Sequence, residues 1–351
     1  MIAAWDGLAK SAAEPNPFFE SWYLLPALRA FDSDGAVKLV MLEADGQLVG
    51  LLPIRREVFY YGYPLPHLRS WTHANCFLGA PLVARGFEHA YWSHLLAWAD
   101  SHAGLSLFLH LAHMPASGSL HLALADVLTS QDRDAATVLR EERALLSSTA
   151  TPETYYEAAL SAKKRKELRR QHRRLEEEGN LSVERLECSE GLAAWTAQFL
   201  ALEMRGWKGK AGSSLASDPR TASLFTDALR GAAERGRLQR LTLTLDSQPI
   251  AMLASFLTPP GAFSFKTAFD EDYARFSPGV LLQRENLEVL TRADIAWTDS
   301  CAAQGHPMID HFWRERRTIA RHSIGMGGPL RRKMFAALAR RETGHPAKGI
   351  R

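Results

Sequence analysis

The segment 265–290, FKTAFDEDYARFSPGVLLQRENLEVL, has the residue types and spacing of an anion-binding junction. An apolar run ends in the acidic stretch 270–272, continues through Arg275 and Ser-Pro-Gly at 277–279, and then takes up helical spacing. This order predicts a strand, a loop and a helix start, where unsatisfied N–H groups and the positive end of the helix dipole attract anions. An ordinary loop, in which Ser277 caps the helix and Pro278 is its first residue, has the same pattern.

The composition indicates an ordinary globular protein of two domains. The chain has 351 residues, 46% of them hydrophobic and 23% charged, with a net charge of +3, and this length is large for a single hydrophobic core. No apolar run approaches the roughly 20 residues that span a bilayer, and MIAAWDGLAK lacks the pattern of a secretory signal. The cysteines, Cys76, Cys188 and Cys301, are far apart. We therefore expect a cytoplasmic protein without a disulfide framework or a cysteine-ligated metal.

A polar, proline-containing segment, 145–156, divides two regions that each alternate strand and helix signals. We place an N-terminal domain at 1–148, a C-terminal domain at 149–330 and a basic tail at 331–351. In the N-terminal region we predict a hairpin, an amphipathic helix and a buried strand, at 37–56, 86–102 and 105–111.

The C-terminal region predicts a mixed sheet with helices on its faces. The predicted strands are 181–186, 238–245, 250–257, 262–269, 293–302 and 321–326. The predicted helices are 192–204, 219–235, 280–290 and 308–320. Asp218 is the predicted N-cap of the second of these helices, and 205–214 is a predicted glycine-rich loop.

This order resembles that of the GNAT acyltransferase fold. The segments that carry the resemblance are SAKKRKELRRQHRRLEEEGNLSVERL, ALEMRGWKGKAGS, QPIAMLASF, FKTAFDEDYARFSPGVLL and TDSCAAQGHPMIDHFW. They are similar to the CelD/BcsL-like branch, acetyltransferases linked to cellulose biosynthesis, whose relatives include FemAB-type aminoacyltransferases. The resemblance spans about 150–325 well and the N-terminal half loosely. It implies an α/β fold with a mixed sheet and tandem GNAT-like domains, the N-terminal copy degenerate.

The resemblance implies acetyl-CoA or another acyl-CoA as co-substrate and no metal. The strand 263–269, the loop after it and the following helix would receive the donor, with pantetheine between the diverging fourth and fifth strands. The expected contacts are Lys266, Arg275, Ser277, Gly279 and Val280. The sequence departs from the usual Q/R-x-x-G-x-G/A loop, because Arg275 is followed by a single glycine at a different spacing. An acyl carrier protein or an aminoacyl-tRNA therefore stays open as the donor.

Acyl transfer to an amine needs a base, and Asp270 or Glu271 at the end of the fourth strand is the expected one. Tyr273 could act as acid or contact substrate, and His306 and Asp310 would lie near the thioester. A solvated acidic turn and a structural histidine are the alternatives.

Trp207 and Lys208, between the first two helices of the domain, would line the acceptor side, unless they belong to a glycine-rich surface loop without a role. In the N-terminal half we expect Asn75 and His73 to be the functional polar groups of the proline- and aromatic-rich loop 63–82. Eight of the thirteen histidines lie between His67 and His121, but none has the spacing of metal ligands.

The run 163–174 has eight Lys or Arg in twelve residues and is followed by three glutamates at 176–178. This charge order opposes the helix dipole, which suggests attraction to an external anion such as tRNA or an anionic lipid surface. A solvated helix is the alternative.

Three functions follow from these patterns. The first is an N-acyltransferase that uses acyl-CoA on a small-molecule or saccharide amine, linked to polysaccharide biosynthesis through the resemblance. The second is a FemAB-like transferase that uses aminoacyl-tRNA. The third is a non-catalytic GNAT-like binding module for polysaccharide or envelope assembly.

Overall fold

A computed structural model describes residues 1–350, which divide into two compact units. Of the described residues, unit 1 contains 1–142 and 318–350, and unit 2 contains 143–317. The sequence places the boundaries instead after 148 and after 330, and those domain ranges stay predictions.

The helices and strands are numbered in chain order. The helices are α1 (Ile2–Ser11), α2 (Ser21–Phe31), α3 (Glu88–Ser101), α4 (Ser119–Ser130), α5 (Pro152–Ala159), α6 (Ala162–Glu178), α7 (Leu192–Arg205), α8 (Trp207–Lys210), α9 (Pro219–Ala233), α10 (Pro278–Asn286) and α11 (Pro329–Thr343). The strands are β1 (Lys38–Ala44), β2 (Gln47–Glu57), β3 (His67–Ser70), β4 (Leu82–Val83), β5 (Phe108–Pro115), β6 (Ala135–Leu146), β7 (Leu181–Leu186), β8 (Leu238–Leu245), β9 (Gln248–Thr258), β10 (Gly261–Phe269), β11 (Trp297–Asp299) and β12 (Glu315–Gly325). None of the helices within residues 1–350 combines the length and the apolar character that crossing a bilayer demands.

The sheet of unit 1 has the strand order β1-β2-β3-β5-β12-β6, with β4 beside β2. The predicted hairpin is confirmed, because β1 and β2 are antiparallel around Asp45 and Gly46, whose φ angles are 49° and 73°. Both residues have the positive φ that a two-residue hairpin turn requires. The predicted helix and buried strand are confirmed as α3 and β5.

The sheet of unit 2 is mixed. Strands β7 to β10 are antiparallel in sequence order, β10 is parallel to β11, and β11 pairs with Leu145 and Leu146 of β6. This confirms the predicted strand 181–186 and the meander after it. The predicted N-cap is also confirmed, because the Asp218 carboxylate accepts a 2.9 Å hydrogen bond from the Arg220 N–H at the start of α9.

Two local predictions are wrong. Residues 308–320 do not form a helix, because turns occupy 304–312 and β12 begins at Glu315, six residues before the strand predicted at 321–326. Ile309, Phe312 and Trp313, whose spacing suggested a helix, are instead buried in an apolar cluster of unit 2. The predicted loop 205–214 contains the short helix α8.

The segment expected to be a basic tail, 331–351, contains most of α11. Phe335 and Ala339 lie one turn apart on this helix and are both buried. They belong to an apolar cluster of unit 1 with Phe108, and the rings of Phe335 and Phe108 are 5.7 Å apart. Because one face of the segment is apolar, it packs on the core although its other face is basic.

A buried ionic group stands at the end of β11. Asp299 is fully buried, and its Oδ2 lies 2.8 Å from Arg143 and 2.9 Å from Arg317. Its Oδ1 accepts a 2.9 Å hydrogen bond from the N–H of Cys301, which has a left-handed φ of 53°. One carboxylate therefore holds two arginines and the turn that follows the strand.

We predict that Asp299→Asn destabilises the protein by about 3–5 kcal/mol, because removing one partner leaves buried charge without compensation. Asp294→Asn is the matched control, since Asp294 pairs with Arg292 on the surface and such pairs contribute about 0–1 kcal/mol. Urea unfolding measures both changes. Equal stability of the two variants would contradict a structural role for Asp299.

Candidate active site

The strands β10 and β11 separate in the middle of unit 2. They are paired only over Gly261–Phe263, whereas β10 continues to Phe269. The register of β10 against β9 also shifts between Ser264 and Lys266, which marks a β-bulge at Phe265. Bulges of this kind bend a strand and occur next to active sites. From Ser264 onward, β10 has no pairing with β11, so this edge of its backbone is not used in a ladder with that strand.

The loop after β10 leads into α10 as the sequence predicts, but Ser277 does not cap the helix with its side chain. Ser277 has a left-handed φ of 54°, and its carbonyl accepts hydrogen bonds from Val280 and Leu281. Pro278 is the first residue of α10, as predicted. A Cβ on Gly279 would lie 2.8 Å from the Sδ of Met308, so the absence of a side chain allows close packing.

Arg275 lies against α6. Its Nη2 is 3.0 Å from the Glu178 carboxylate, its guanidinium stands 4.6 Å from the centre of the Phe276 ring, and its carbonyl accepts from Gln171. Arg275 is therefore held beside the loop by groups of the protein itself.

The loop acids predicted to act as a base hold α7 and α8 in place. Glu271 accepts hydrogen bonds from the Trp207 N–H and from Lys210 Nζ, the second at 2.9 Å. The bond from Lys210 holds the pKa of Glu271 below its ordinary value. Asp270 caps the 3₁₀ turn after β10 by accepting from the Asp272 N–H, and it lies 3.6 Å from Arg205.

Tyr273 packs on the apolar cluster of unit 2, with its ring 6.5 Å from that of Phe276. Its position in the loop is therefore fixed mainly by apolar contact.

A cleft lies between the α7–α8 corner and the end of β10. Its empty volume is about 240 Å³, which includes space open to solvent. The residues that line it are Glu203, Gly206, Trp207, Lys208, Thr267, Ala268 and Phe269. The structure thus brings the predicted acceptor residues Trp207 and Lys208 to the strand that carries Lys266.

Glu203 organises this cleft, and sequence reasoning missed it. It is buried on α7, its Oε1 is 2.7 Å from Lys208 Nζ, and its Oε2 accepts a 2.7 Å hydrogen bond from the Leu215 N–H. Lys208 Nζ also donates to the Thr267 carbonyl at 3.3 Å. A carboxylate among the apolar residues of α7 was the signal in the sequence.

Lys266 is the most perturbed cation of the site. Burial lowers its pKa to about 8, and the nearby Lys208 ammonium acts in the same direction, while Glu203 and the Cys301 thiol oppose the shift. Cys301, also missed from the sequence, is buried, and burial together with Asp299 raises its thiol pKa well above the ordinary value.

His306 and Asp310 lie close together in the segment after β11. The His306 carbonyl accepts from the Asp310 N–H at 3.0 Å, and Asp310 Oδ2 accepts from the Gly305 N–H at 2.6 Å. Burial lowers the His306 pKa, with Asp310 opposing and Lys208 adding to the shift. Among residues 1–350, His306 Nδ1 and Asp310 Oδ1 find no hydrogen-bond partner although both atoms are buried.

Asn75 belongs to unit 1. It is buried, its carbonyl accepts from the Tyr23 hydroxyl at 2.5 Å, and its N–H donates to His73 Nδ1 at 3.3 Å.

No group of three His, Cys, Asp or Glu residues in the described part of the chain could hold a metal ion.

Residues 162–306 match the family model of the acetyltransferase (GNAT) domain. The matched segment runs from α6 through the β10–β11 separation to His306. Residues 162–306 are thus similar to a GNAT-type acetyltransferase domain, and the predicted mixed α/β fold is confirmed. The match supports acyl transfer as the general class of activity.

Solved structures share the fold over nearly the whole chain. The chain is similar to FemX, with a TM-score of 0.60, 9% identity and coverage of 97% of this chain and 98% of that chain. It is similar to the C-terminal DUF2156 domain of a protein described as a lysylphosphatidylglycerol synthetase from Agrobacterium fabrum, with a TM-score of 0.57 and 11% identity. That match covers 97% of this chain and 96% of that chain. The chain is also similar to a conserved protein of unknown function from Bacteroides thetaiotaomicron, with a TM-score of 0.56 and 10% identity. The match covers 93% of this chain and 97% of that chain. At these identities the similarity shows the fold alone, and no curated protein matches the sequence.

We predict that the free-energy difference between Lys266→Met and the wild type depends on pH. The pKa of Lys266 is about 8 in the folded chain, against an ordinary 10.5, so burying its charge destabilises the wild type fully below pH 8. This destabilisation is lost as the pH rises from about 8 to 10, and any stability advantage of the variant should shrink over that range. Thermal unfolding measures it, with Lys38→Met, an exposed site in unit 1, as control. A pH-independent difference would contradict the buried charge.

Proposed function

We propose that the protein is an N-acyltransferase that moves an acetyl or other acyl group from acyl-CoA to an amine by direct attack. The observation that carries the proposal is the separation of β10 from β11 beside the N-terminus of α10, within the segment matched to the GNAT domain. The unpaired edge of β10 suits the amides of a pantetheine arm, and the positive end of the α10 dipole suits a phosphate.

In this reaction the amine nitrogen forms a bond to the thioester carbonyl carbon and the carbon–sulfur bond breaks. The attacking ammonium must first lose a proton, and the departing thiolate gains one. We propose His306 as the base in place of Asp270 or Glu271, because Glu271 is bound to Trp207 and Lys210. The Nδ1 of His306 has no hydrogen-bond partner in the described chain, and its lowered pKa keeps the ring neutral at pH 7.

The finer assignments rest on the sequence resemblance. The CelD/BcsL-like branch, a role in polysaccharide biosynthesis, a cytoplasmic location and a degenerate GNAT-like copy in the N-terminal half are proposed on that ground.

The donor is tested by calorimetry. We expect acetyl-CoA and CoA to bind the purified protein, and Arg275→Ala to weaken both while turnover at saturating donor changes little. Arg170→Ala, an exposed arginine of α6, is the control. If neither compound binds at millimolar concentration, acyl-CoA is not the donor.

The base is tested by mutant kinetics. His306→Gln should lower kcat/KM by roughly 10²- to 10⁴-fold, the usual size of a general-base contribution. Glu271→Gln should change turnover far less. In the wild type, kcat/KM should fall only when the pH drops below the lowered pKa of His306. A larger loss in Glu271→Gln than in His306→Gln would return the role to the loop acid.

A specific observation favours a second candidate, a FemAB-like transferase whose donor is aminoacyl-tRNA. Six exposed cations of α6 make no ion pair or hydrogen bond within the chain that the structure describes: Lys163, Lys166, Arg169, Arg170, Arg173 and Arg174. They lie opposite the buried Leu168 and Leu175 and extend over about 16 Å of helix. This basic face of α6 suits a row of phosphates.

The second candidate is tested by the salt dependence of tRNA binding. Replacing Arg169, Arg170 and Arg173 by Gln should weaken binding and reduce the slope of log K against log salt by up to about one for each phosphate that the variant no longer neutralises. A triple variant of Arg331, Arg332 and Lys333 in α11 is the control. Absence of tRNA binding at low salt would exclude this candidate, whereas binding without turnover of any acyl donor would favour the non-catalytic module.

A further inference from the structure

The helix α11 of unit 1 has an exposed face that combines cations with apolar side chains. Its members lie three, four, seven or eight positions apart, so they share about one third of the helix circumference. They are Leu330, Lys333, Met334, Ala337, Arg340 and Arg341, and all six are exposed. The buried Phe335 and Ala339 lie on the opposite side. We call these six residues the outer face of α11.

No acidic residue of α11 neutralises this face. The side chains of Lys333, Arg340 and Arg341 form no ion pair or hydrogen bond within residues 1–350. Glu342, the one acidic residue of the helix, lies on the inner side, where it accepts a 2.8 Å hydrogen bond from the Tyr60 hydroxyl. The outer face therefore presents three positive charges without a partner among the described residues.

A further exposed apolar side chain lies beside the first turn of α11. Arg331 Nη2 donates to the Gly104 carbonyl at 2.9 Å, which holds the loop before β5 against the helix. The next residue of that loop, Leu105, is 81% exposed, and Leu330 of the helix is 76% exposed. Two leucines are thus open to solvent at the same end of the cationic helix.

A hairpin turn presents tyrosines beside the last turn of α11. The backbone groups of Tyr60 and Tyr63 exchange hydrogen bonds of 2.9 and 3.0 Å, and Tyr61 and Gly62 between them have positive φ, as a two-residue hairpin turn requires. The Tyr60 hydroxyl ties this turn to Glu342. Because the backbone of the turn is fixed, the exposed Tyr61 and Tyr63 are held next to the helix.

The residue types of this surface favour one kind of partner. Single exposed apolar residues are ordinary, whereas here they are grouped with cations. A symmetric dimer through this face would bring like charges together. Contacts with nucleic acid are polar, but Leu105, Leu330 and Met334 are aliphatic. Cations beside aliphatic and tyrosine side chains match the boundary between anionic headgroups and acyl chains.

We propose that the outer face of α11 binds an anionic lipid surface. Lys333, Arg340 and Arg341 contact the headgroups, and Leu330 and Met334 reach the acyl boundary. The inference is independent of the acyl transfer and of its donor. It assigns lipid contact to unit 1, and not to the basic run of α6, where the order of charges in the sequence suggested it.

Flotation of the purified full chain with vesicles tests the inference. Vesicles of equimolar phosphatidylserine and phosphatidylcholine are compared with vesicles of phosphatidylcholine alone. We expect binding to the anionic vesicles to be tenfold or more tighter, and to weaken as added salt screens the charges. Absence of binding to the anionic vesicles, or equal binding to both kinds, would overturn the inference.

A charge variant assigns the binding to α11. Lys333→Gln, Arg340→Gln and Arg341→Gln together should lower the affinity for anionic vesicles roughly 100-fold, given the usual contribution of a cation near such a surface. The α6 triple variant of the tRNA test removes the same number of charges from unit 2 and is the control. A larger loss in the α6 variant would place the lipid contact there and reject the outer face of α11.

An apolar variant separates insertion from simple attraction of charges. Leu330→Ser with Met334→Ser should lower the affinity tenfold or more, because both side chains would otherwise leave water. Leu122→Ser with Met41→Ser is the matched control, since these residues are 57% and 41% exposed elsewhere in unit 1. All the substituted side chains are exposed, and thermal unfolding checks that each variant folds. Wild-type affinity in the folded apolar variant would reduce the contact to charge attraction and overturn the inference.

Discussion

The geometry of unit 2 depends on Asp299. Its buried carboxylate binds Arg143 and Arg317 and also holds the N–H of Cys301, so β11 ends at a fixed point after pairing with β10 over Gly261–Phe263. Were β11 to continue beside β10, the backbone edge of β10 would be used in sheet hydrogen bonds. A buried ion pair is costly to desolvate and adds little net stability. Here it fixes the position at which two strands separate, which a purely apolar contact would specify less sharply.

The sequence predicts the elements whose signals are local. The turn at Asp45 and Gly46, the Asp218 cap and strand β7 all depend on neighbouring residues, and all three are confirmed. The first half of β12 was missed because its partner β5 lies about two hundred residues earlier in the chain, and the pairing of Ile319 with Pro115 leaves no local signal. The apolar residues before β12 have the spacing of a helix, but the same spacing is equally compatible with burial in a turn.

The sequence predicted the candidate site only in part, because most contacts of the site join residues that are distant in the chain. The order of strand, loop and helix identified the region, but the partners of each charged group could not be derived from spacing. Glu271 contacts Trp207 and Lys210 through chain segments about sixty residues apart, and Glu203 and Cys301 approach Lys266 only in the fold. A carboxylate in a conspicuous acidic run was therefore the obvious base from sequence, and the structure shows it bound to neighbouring donors.

The carboxylates near the end of β10 are paired with lysines of another element. Two carboxylates near the end of β10, Glu271 and Glu203, each pair with a lysine of α8, Lys210 and Lys208 respectively. Lys266 adds a further positive charge to this arrangement, and its ammonium is destabilised by burial and by Lys208. Burial and the neighbouring ammonium thus make Lys266 lose its proton more readily than an exposed lysine would.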